Sequence, residues 1–422
     1  MEYKKYDYDT YTIHFIKTDK FKSIFISLVL INEFNKDSLA KNFVLRKLLT
    51  LSSKNLKNES EVAKKVYDLY NAGLFIANGV CNNVIYTNFD METLEDKYTE
   101  DGQVQNALNY FFDTIFYPNI VDGEFEKTNF ELAIKSAKDY YDREKENKVK
   151  YACNRAYSIF DNEYLKYDLN GEKEDLKNIT QKNMVEYYND LFKKSCANIF
   201  IIGNFDDEEM LNIINTNVNG KFYKNENKYI DGVYKENSGI KEKEDIENNN
   251  QSILVMIYKV LNITKRERNV ISPIFNRVFG VGNNSKLFKN IREEKSLCYD
   301  IRSIFLREES VLMIRSGINS ESKDRVIETI KYELENIQKG NISDKEFDEA
   351  IKFRKRTLKQ FEDENDSISY IKQANILFGN DDLDKRMKEL KTVTKEELIE
   401  FAKKIDLSVI YMLKGEKSNE QD

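Results

Sequence analysis

An internal duplication is the feature that most constrains the fold of this chain. Residues 176–203 contain LKNIT, an amphipathic segment and the apolar run ANIFIIG, and residues 390–413 contain LKTVT and LSVIYML in the same order, 214 residues later. Upstream, the Glu-Phe pairs at 124–125 and 346–347 form a second match. Two matches in the same order indicate duplication at about half the chain length, not a short solenoid repeat.

Each copy has the hydrophobic pattern of an α+β module. Apolar residues alternate at Tyr11, Ile13 and Phe15, which predicts a half-buried strand, and the continuous apolar run at 24–30 predicts a buried strand. Apolar residues at helical spacing follow at 41–51. Further helices are predicted near 60–72, 102–116, 123–147, 150–161, 181–192 and 395–404. We therefore expect two homologous modules, each a mainly antiparallel sheet covered by helices.

The module boundaries follow from a polar stretch between the copies. Residues 221–250 have few apolar anchors, which is typical of a linker. This places an N-terminal module at 1–220, a linker at 221–250 and a C-terminal module at 251–422. In the second module, the T-x-x-E pattern of Thr394 and Glu397 predicts a capping box at the start of the last helix.

Charge and hydropathy exclude several classes of partner. The net charge is -7 with both signs interspersed, whereas a nucleic-acid-binding protein normally has a basic face. The longest strongly apolar run, Ser23–Ile31, is far shorter than the ~20 residues of a membrane helix. The start, MEYKKYDYD, lacks the apolar core of a signal peptide. We therefore expect a cytoplasmic protein without a membrane or nucleic-acid partner.

A single histidine, His14, limits the possible catalytic chemistry. A metal site built from two or more histidines is excluded, and His14 on the first strand is more typical of an ordinary strand residue than of a ligand. A nucleophilic cysteine would need His14 as its base. Of the four cysteines, Cys298 beside Tyr299 is the candidate for that role, as an alternative to a chain without a nucleophile. The cysteines are scattered without a C-x-x-C motif, so reduced thiols are expected.

Residues 284–299 carry the most specific sequence motif, NSKLFKNIREEKSLCY. A small-residue turn, then S-[KR]-L-F, then R-E-x-x-x-L-x-Y is similar to a stretch in the second half of the pitrilysin/insulinase superfamily of inverzincin peptidases. Residues 251–260, QSILVMIYKV, resemble the strand that opens that half. The resemblance covers nearly the whole chain, and it implies that the two modules form half of a clamshell.

Active members of that family carry H-x-x-E-H on a first-half helix, whose histidines bind zinc and whose glutamate activates water. In this chain the resemblance aligns Asn42 and Arg46 with the histidines and Leu45 with the glutamate. Lys135 stands near the position of the third ligand, with a register uncertain by one helical turn. The resemblance therefore implies no zinc, no cofactor and no peptidase activity from this chain alone. Arg46 is expected to pair with a carboxylate instead.

The same resemblance implies that Arg292 and Tyr299 reach into an active site formed by a zinc-bearing half. A guanidinium and a phenol can donate hydrogen bonds to the scissile carbonyl. The alternative is that Arg292 pairs with surface carboxylates and Tyr299 is an ordinary strand aromatic. The loop Gly282, Asn283, Asn284 and Ser285 is interpreted as a substrate loop. It lacks the Lys-Ser/Thr of a phosphate-binding P-loop, so nucleotide binding is disfavoured.

These features resemble the zinc-less member of bacterial two-chain peptidases, of the type associated with elongation factor P modification. The implied function is that of a non-catalytic subunit in a heterodimer. Such a subunit would supply the Arg/Tyr pair and half of a chamber for an unfolded peptide to an H-x-x-E-H zinc peptidase partner. The alternative is a scaffold or assembly protein of the same fold without a peptidase role. The resemblance leaves open whether the chain homodimerises when alone.

Overall fold

The computed structural model describes residues 1–236 and 239–416 and confirms the α+β fold class. The strands are β1 (Glu2–Asp7), β2 (Tyr11–Lys17), β3 (Ser23–Glu33), β4 (Phe75–Cys81), β5 (Val84–Leu94), β6 (Ile120–Val121), β7 (Glu124–Phe125), β8 (Cys196–Gly203), β9 (Lys241–Asn248), β10 (Ser252–Val260), β11 (Cys298–Leu306), β12 (Val311–Ile318) and β13 (Ile405–Glu416). The helices are α1 (Leu39–Leu51), α2 (Glu59–Asp68), α3 (Gln103–Phe116), α4 (Lys127–Asp142), α5 (Lys148–Ile159), α6 (Gln181–Lys194), α7 (Asp207–Val218), α8 (Ser272–Phe279), α9 (Lys323–Gln338), α10 (Asp344–Gln360), α11 (Asn365–Phe378), α12 (Leu383–Leu390) and α13 (Lys395–Lys403).

The described residues form two compact units. Unit 1 comprises Met1–Arg143, Asp168–Ile230 and Glu362–Gln373. Unit 2 comprises Glu144–Tyr167, Asp231–Phe361 and the described residues from Ala374 onward.

Unit 1 contains a six-stranded sheet in the order β1-β2-β8-β3-β5-β4. Only β2 and β8 pair in parallel; the other neighbours are antiparallel. The central strand β3 carries the long apolar run and is almost entirely buried. Helices cover one face of this sheet, where their apolar side chains form a core with Ile26 and Leu28 of β3 and Ile201 of β8. This is the buried antiparallel arrangement that the continuous apolar run predicts.

The other face of this sheet includes a buried polar cluster that residues 362–373 contact. Gln373 Nε2 donates to Ser27 Oγ at 3.0 Å, and Asn88 Nδ2 donates to Gln373 Oε1 at 2.8 Å. Tyr370 Oη donates to Asp90 Oδ2 at 2.9 Å. Buried hydrogen bonds therefore hold residues 362–373 to this side of the sheet.

Unit 2 contains a five-stranded sheet in the order β11-β12-β10-β13-β9, in which only β9 and β13 pair in parallel. Both faces are apolar, which explains why all nine residues of β10 are buried. One face packs against helices that include α8 and α13. On the other face, Ala152 and Ala156 of α5 pack against Val255, Ile257 and Tyr411.

Equivalent elements of the two units confirm the predicted duplication. In unit 1, α6 leads into β8, which pairs antiparallel with β3; in unit 2, α13 leads into β13, which pairs antiparallel with β10. Both helices begin with a capping box, in which the side chain of Thr180 or Thr394 accepts from a backbone N–H three residues later. The T-x-x-E prediction at Thr394 is thus confirmed.

The units differ from the contiguous modules that the sequence suggests. Residues 144–167 belong to unit 2 and residues 362–373 to unit 1. The stretch interpreted as a linker contains β9, whose residues KEKEDIEN alternate between exposed and half-buried. A polar edge strand of this kind has no hydrophobic signature, and its charges oppose pairing with another sheet. The sequence pattern therefore could not separate it from a loop.

Candidate functional site

Helix α1 carries Asn42, Leu45 and Arg46, the positions that the sequence resemblance aligns with the H-x-x-E-H motif. Asn42 is 1% exposed, and its Nδ2 lies 3.3 Å from Thr87 Oγ1 on β5. Leu45 is 2% exposed and belongs to the apolar core. The amide therefore holds the helix to the sheet, and the position of the general base is occupied by a core side chain.

Arg46 lies one turn after Asn42 and is held by neutral partners. Its Nη2 donates to Asn170 Oδ1 at 2.9 Å, and its guanidinium carbon lies 5.1 Å from the centre of the Phe43 ring. Burial lowers the pKa of Arg46 from its usual value, and its Nε has no hydrogen-bond partner among the described residues. The expected carboxylate partner is thus replaced by an amide oxygen, which accepts a hydrogen bond without neutralising the charge.

Lys135 does not share this cluster in the structure. It is exposed on α4 and lines a shallow groove with Lys47, Thr50 and Asp139. The α4 residues that pack beside Arg46 are instead Tyr140 and Tyr141, whose rings lie 4.9 Å and 5.9 Å from that of Phe43. Sequence reasoning missed both tyrosines and Asn170, because a partner that is distant in the chain leaves no local pattern.

The donor set of α1 does not fit a zinc ion. Zinc sites in proteins use imidazole, thiolate and carboxylate ligands, whereas this helix offers an amide, an aliphatic side chain and a guanidinium. Within residues 1–236 and 239–416, no group of three or more His, Cys, Asp or Glu side chains is arranged to hold a metal ion. We therefore derive no metal-dependent step from this chain.

A cavity of about 680 Å³ opens at the N-terminal end of α1, with Asn42 in its lining. Charged side chains of both signs surround it, including Glu33, Lys41, Glu186 and Asp190. No motif in the sequence indicated this cavity, because β3 and α1 form one part of its wall and α6, which comes much later in the chain, forms another.

The proposed substrate loop is a tight turn in unit 2. Gly282 has φ +82°, and a Cβ at this position would clash with Arg277 Nη1, so the turn requires glycine. Ser285 is buried and donates from Oγ to Gly282 O at 2.7 Å. Asn283 and Asn284 are exposed, and Asn284 Nδ2 donates to Glu349 Oε2 at 3.1 Å. The loop is therefore rigid at its ends and open to solvent at its tip.

Arg292 and Tyr299 lie on either side of a turn that leads from a π-helical segment, Phe288–Glu294, into β11. Leu297 N donates to Ile291 O at 2.9 Å, which folds the chain back onto the last helical turn. Both side chains are exposed, Tyr299 by 56%. The structure thus brings these two residues to one end of unit 2.

The Arg292 guanidinium and the Tyr299 hydroxyl make few contacts with other described residues. The Arg292 guanidinium lies 5.0 Å from the centre of the Phe288 ring and has no ion-pair partner in the part of the chain that the structure describes. Tyr299 Oη donates to Asn319 Oδ1 at 2.8 Å. Burial raises the pKa of the adjacent Cys298 thiol, and the positive charge of Arg292 opposes that rise. This leaves the guanidinium free to meet another group.

His14 is enclosed within unit 1. Tyr3 Oη lies 2.9 Å from Nδ1, Asn198 Oδ1 lies 3.1 Å from Nε2, and the Phe200 ring stacks at 4.4 Å. Burial lowers the pKa of His14 to about 4. Both ring nitrogens thus have partners on neighbouring strands, so His14 is a structural residue and does not act on Cys298.

Comparisons with known proteins bear on this site. A family model described as the peptidase M16 inactive domain matches residues 178–353, which include Arg292 and Tyr299. The chain is 22% identical over 414 residues to the probable inactive metalloprotease YmfF of Bacillus subtilis (strain 168), covering 96% of each chain.

Two crystal structures have the same fold. A conserved protein from Enterococcus faecalis V583 superposes with a TM-score of 0.91 at 24% identity, covering 99% of this chain and 100% of the other. A peptidase M16 inactive domain from Pseudomonas fluorescens superposes with a TM-score of 0.78 at 15% identity, covering 99% and 98%.

The chain thus combines repeated α+β modules with a helix α1 whose side chains do not fit a metal ion. The chain is similar to inactive-type M16 peptidases of the pitrilysin/insulinase superfamily through residues 178–353 and through its whole fold. Among the described residues, no helix is long and apolar enough to cross a membrane.

Proposed function

We propose that this chain is the non-catalytic subunit of a cytoplasmic heterodimeric zinc peptidase. Its partner is an H-x-x-E-H chain of similar length, and the substrate is an unfolded peptide. In this proposal the chain supplies half of the peptide chamber together with Arg292 and Tyr299. Association with elongation factor P modification is the pathway that its sequence resemblance favours.

The observation that carries the proposal is the availability of Arg292 and Tyr299. A surface arginine of purely structural use would be expected to pair with a carboxylate, yet Arg292 has no ion-pair partner within residues 1–236 and 239–416. Tyr299 exposes more than half of its surface although it stands at the start of a strand. An exposed guanidinium and an exposed phenol at one turn are suited to a ligand outside this chain.

The chemistry of the pair suits a developing oxyanion. Negative charge accumulates on the scissile carbonyl oxygen as water attacks, and positioned hydrogen-bond donors stabilise that charge. Arg292 remains charged at neutral pH and can donate from two nitrogens. Tyr299 Oη can turn from Asn319 to the substrate. Removal of one such donor typically costs about 3 kcal/mol of transition-state stabilisation.

Unit 1 of this chain supports the same assignment of roles to the two subunits. Arg46 places a positive charge where a zinc ion would lie, and Leu45 cannot accept a proton. The zinc and the general base must therefore come from the partner chain.

The test is co-expression with an H-x-x-E-H chain of similar length, followed by purification of the complex. Arg292→Met should lower kcat by about a hundredfold and Tyr299→Phe by about tenfold, while both variants still co-purify with the partner. Matched controls are Arg325→Met and Tyr332→Phe, which alter exposed residues of α9. Their kcat should equal that of the wild-type complex.

Unchanged turnover of both Arg292→Met and Tyr299→Phe would refute the assigned role. A stable complex in which this chain leaves the partner's activity unaltered would favour the scaffold function instead.

A further inference from the structure

A separate set of arginines lies in unit 2 around α12. Arg386 on this helix is only 2% exposed, although it carries a full positive charge. Its Nε and Nη2 atoms are buried, and neither has a hydrogen-bond partner in the described part of the chain. Because nearly all buried polar groups in proteins are hydrogen-bonded, two orphaned donors on one side chain call for an explanation.

The two orphaned atoms share one edge of the Arg386 guanidinium. Nε–H and the neighbouring Nη2–H point in parallel and form a two-pronged fork. This fork matches the spacing of two oxygens of a carboxylate or a phosphate, which arginine binds through two parallel hydrogen bonds. The unpartnered edge is therefore the one that recognises oxyanions.

The carboxylates near this fork are engaged elsewhere. Glu308 Oε1 accepts from Asn380 Nδ2 at 2.8 Å and from Arg307 Nε at 3.1 Å. Asp381 Oδ1 accepts from Lys385 Nζ at 2.8 Å. Two local acidic groups thus already have cationic or amide partners.

Like charges surround Arg386 as well. Arg307, in the turn between β11 and β12, acts on both Arg386 and Arg354 of α10. Burial, together with the positive charge of Arg307, lowers the pKa of Arg386 to about 10 and that of Arg354 to about 9. The three guanidinium groups thus repel one another, while Glu308, Asp381 and Asp382 attract Arg386.

We propose that the fork of Arg386 binds a small oxyanion, a phosphate or a carboxylate group, with Arg354 and Arg307 supplying additional positive charge. The anion accepts two hydrogen bonds from Nε and Nη2 and offsets the repulsion between the guanidinium groups. All three arginines belong to unit 2 of this chain, so the site does not depend on a peptidase partner.

The test is thermal unfolding of the purified full-length chain at one pH and one ionic strength, in sodium chloride, phosphate, sulfate or acetate. An oxyanion at a concentration well above its Kd should raise the Tm of the wild type by a few degrees above that in chloride. Arg386→Met and Arg386→Lys should lose this rise, because neither variant has the fork. Arg356→Met, an exposed position on α10, is the matched control and should retain it.

Calorimetric titration with phosphate should show binding at least about tenfold weaker for Arg386→Met than for the wild type. In chloride, Arg386→Met should be as stable as the wild type or more so, because an unpaired buried charge has been removed. A rise in the Tm of the wild type with phosphate and sulfate but not with acetate assigns the site to tetrahedral anions. A rise in Tm with acetate alone assigns it to carboxylates.

Three results would overturn the proposal. The first is a wild type whose Tm is the same in all four salts. The second is a rise in Tm in the oxyanions that is as large in the Arg386 variants as in the wild type. The third is an Arg386→Met variant whose Tm lies below that of the wild type by the same amount in chloride and in the oxyanions. That result would indicate that the arginine is purely structural.

Discussion

Arg46 on α1 donates from Nη2 to the amide oxygen of Asn170 at 2.9 Å. Asn170 in turn donates from Nδ2 to Tyr140 Oη at 2.7 Å. These bonds join α1, α4 and the segment that follows residue 168 through neutral groups. The position that the sequence resemblance aligns with a metal-binding histidine is thus built into a packing arrangement.

Replacement of Arg46 by methionine should change the free energy of unfolding by no more than about 1 kcal/mol, in either direction. The guanidinium is partly buried without a counter-charge, so its removal relieves a desolvation cost that offsets the lost hydrogen bond. Denaturant unfolding measures the change, with Lys47→Met as an adjacent control. A loss of more than about 3 kcal/mol would show instead that Arg46 takes part in a buried ion pair.

Leu45→Glu should destabilise the chain by about 3 kcal/mol at pH 7, because the new carboxylate would lie in the apolar core beneath α1. Leu45→Met, which keeps the volume and polarity, should cost less than about 1.5 kcal/mol. Both values come from the same unfolding experiment. Tolerance of glutamate at this position would mean that the general-base position is accessible to water.

Thr180→Ala and Thr394→Ala should each cost about 1 kcal/mol, since each threonine caps a helix with its side chain. Similar losses are expected because the two residues occupy equivalent places in the two units. Hydrogen exchange of the first turns of α6 and α13 would localise the effect. A loss confined to one of the two variants would contradict the equivalence of the caps.

Asp90→Asn should make the stability of the chain less dependent on pH. Burial raises the pKa of Asp90 to about 6 in the folded state, against about 3.9 in an unfolded chain. The Asp90 carboxyl therefore ionises at a lower pH in the unfolded state than in the folded state. As a result, the wild type loses stability as the pH rises from about 4 to 6. The amide stays neutral and can still accept from Tyr370, so the variant should be more stable by up to about 3 kcal/mol at pH 7.

At pH 4 Asp90→Asn and the wild type should be equally stable. His14, whose pKa is lowered to about 4, has the opposite effect: its contribution is present above pH 6.5 and is lost as the pH falls toward 4. It contributes equally to both proteins, so their difference at each pH isolates Asp90. A difference that is constant across the range would show that the carboxyl does not titrate there.

Local patterns in the sequence predicted those parts of the fold that local interactions determine. The buried run of β3, the capping box at Thr394 and the repeated helix–strand plan all agree with the structure. Each depends on residues within one or two elements, so its pattern is visible in the chain. The role that the motif at 284–299 assigns to Arg292 and Tyr299 stays a prediction.

Features that depend on distant parts of the chain could not be predicted in this way. Gln373 reaches Ser27 across 346 positions, and Arg46 reaches Asn170 across 124. Such polar contacts require a buried partner that no periodicity identifies. The register of Lys135 on α4 also depends on how two helices pack, which their separate patterns do not define.

The central claim is that this chain completes a partner's peptidase without binding zinc itself. The most direct measurement is zinc content and peptide cleavage of the two purified subunits, alone and mixed in equal amounts. We predict one zinc in the partner and none in this chain, with cleavage that rises at least about a hundredfold on mixing. Zinc-dependent cleavage by this chain alone, or a mixture no more active than the partner alone, would contradict the account.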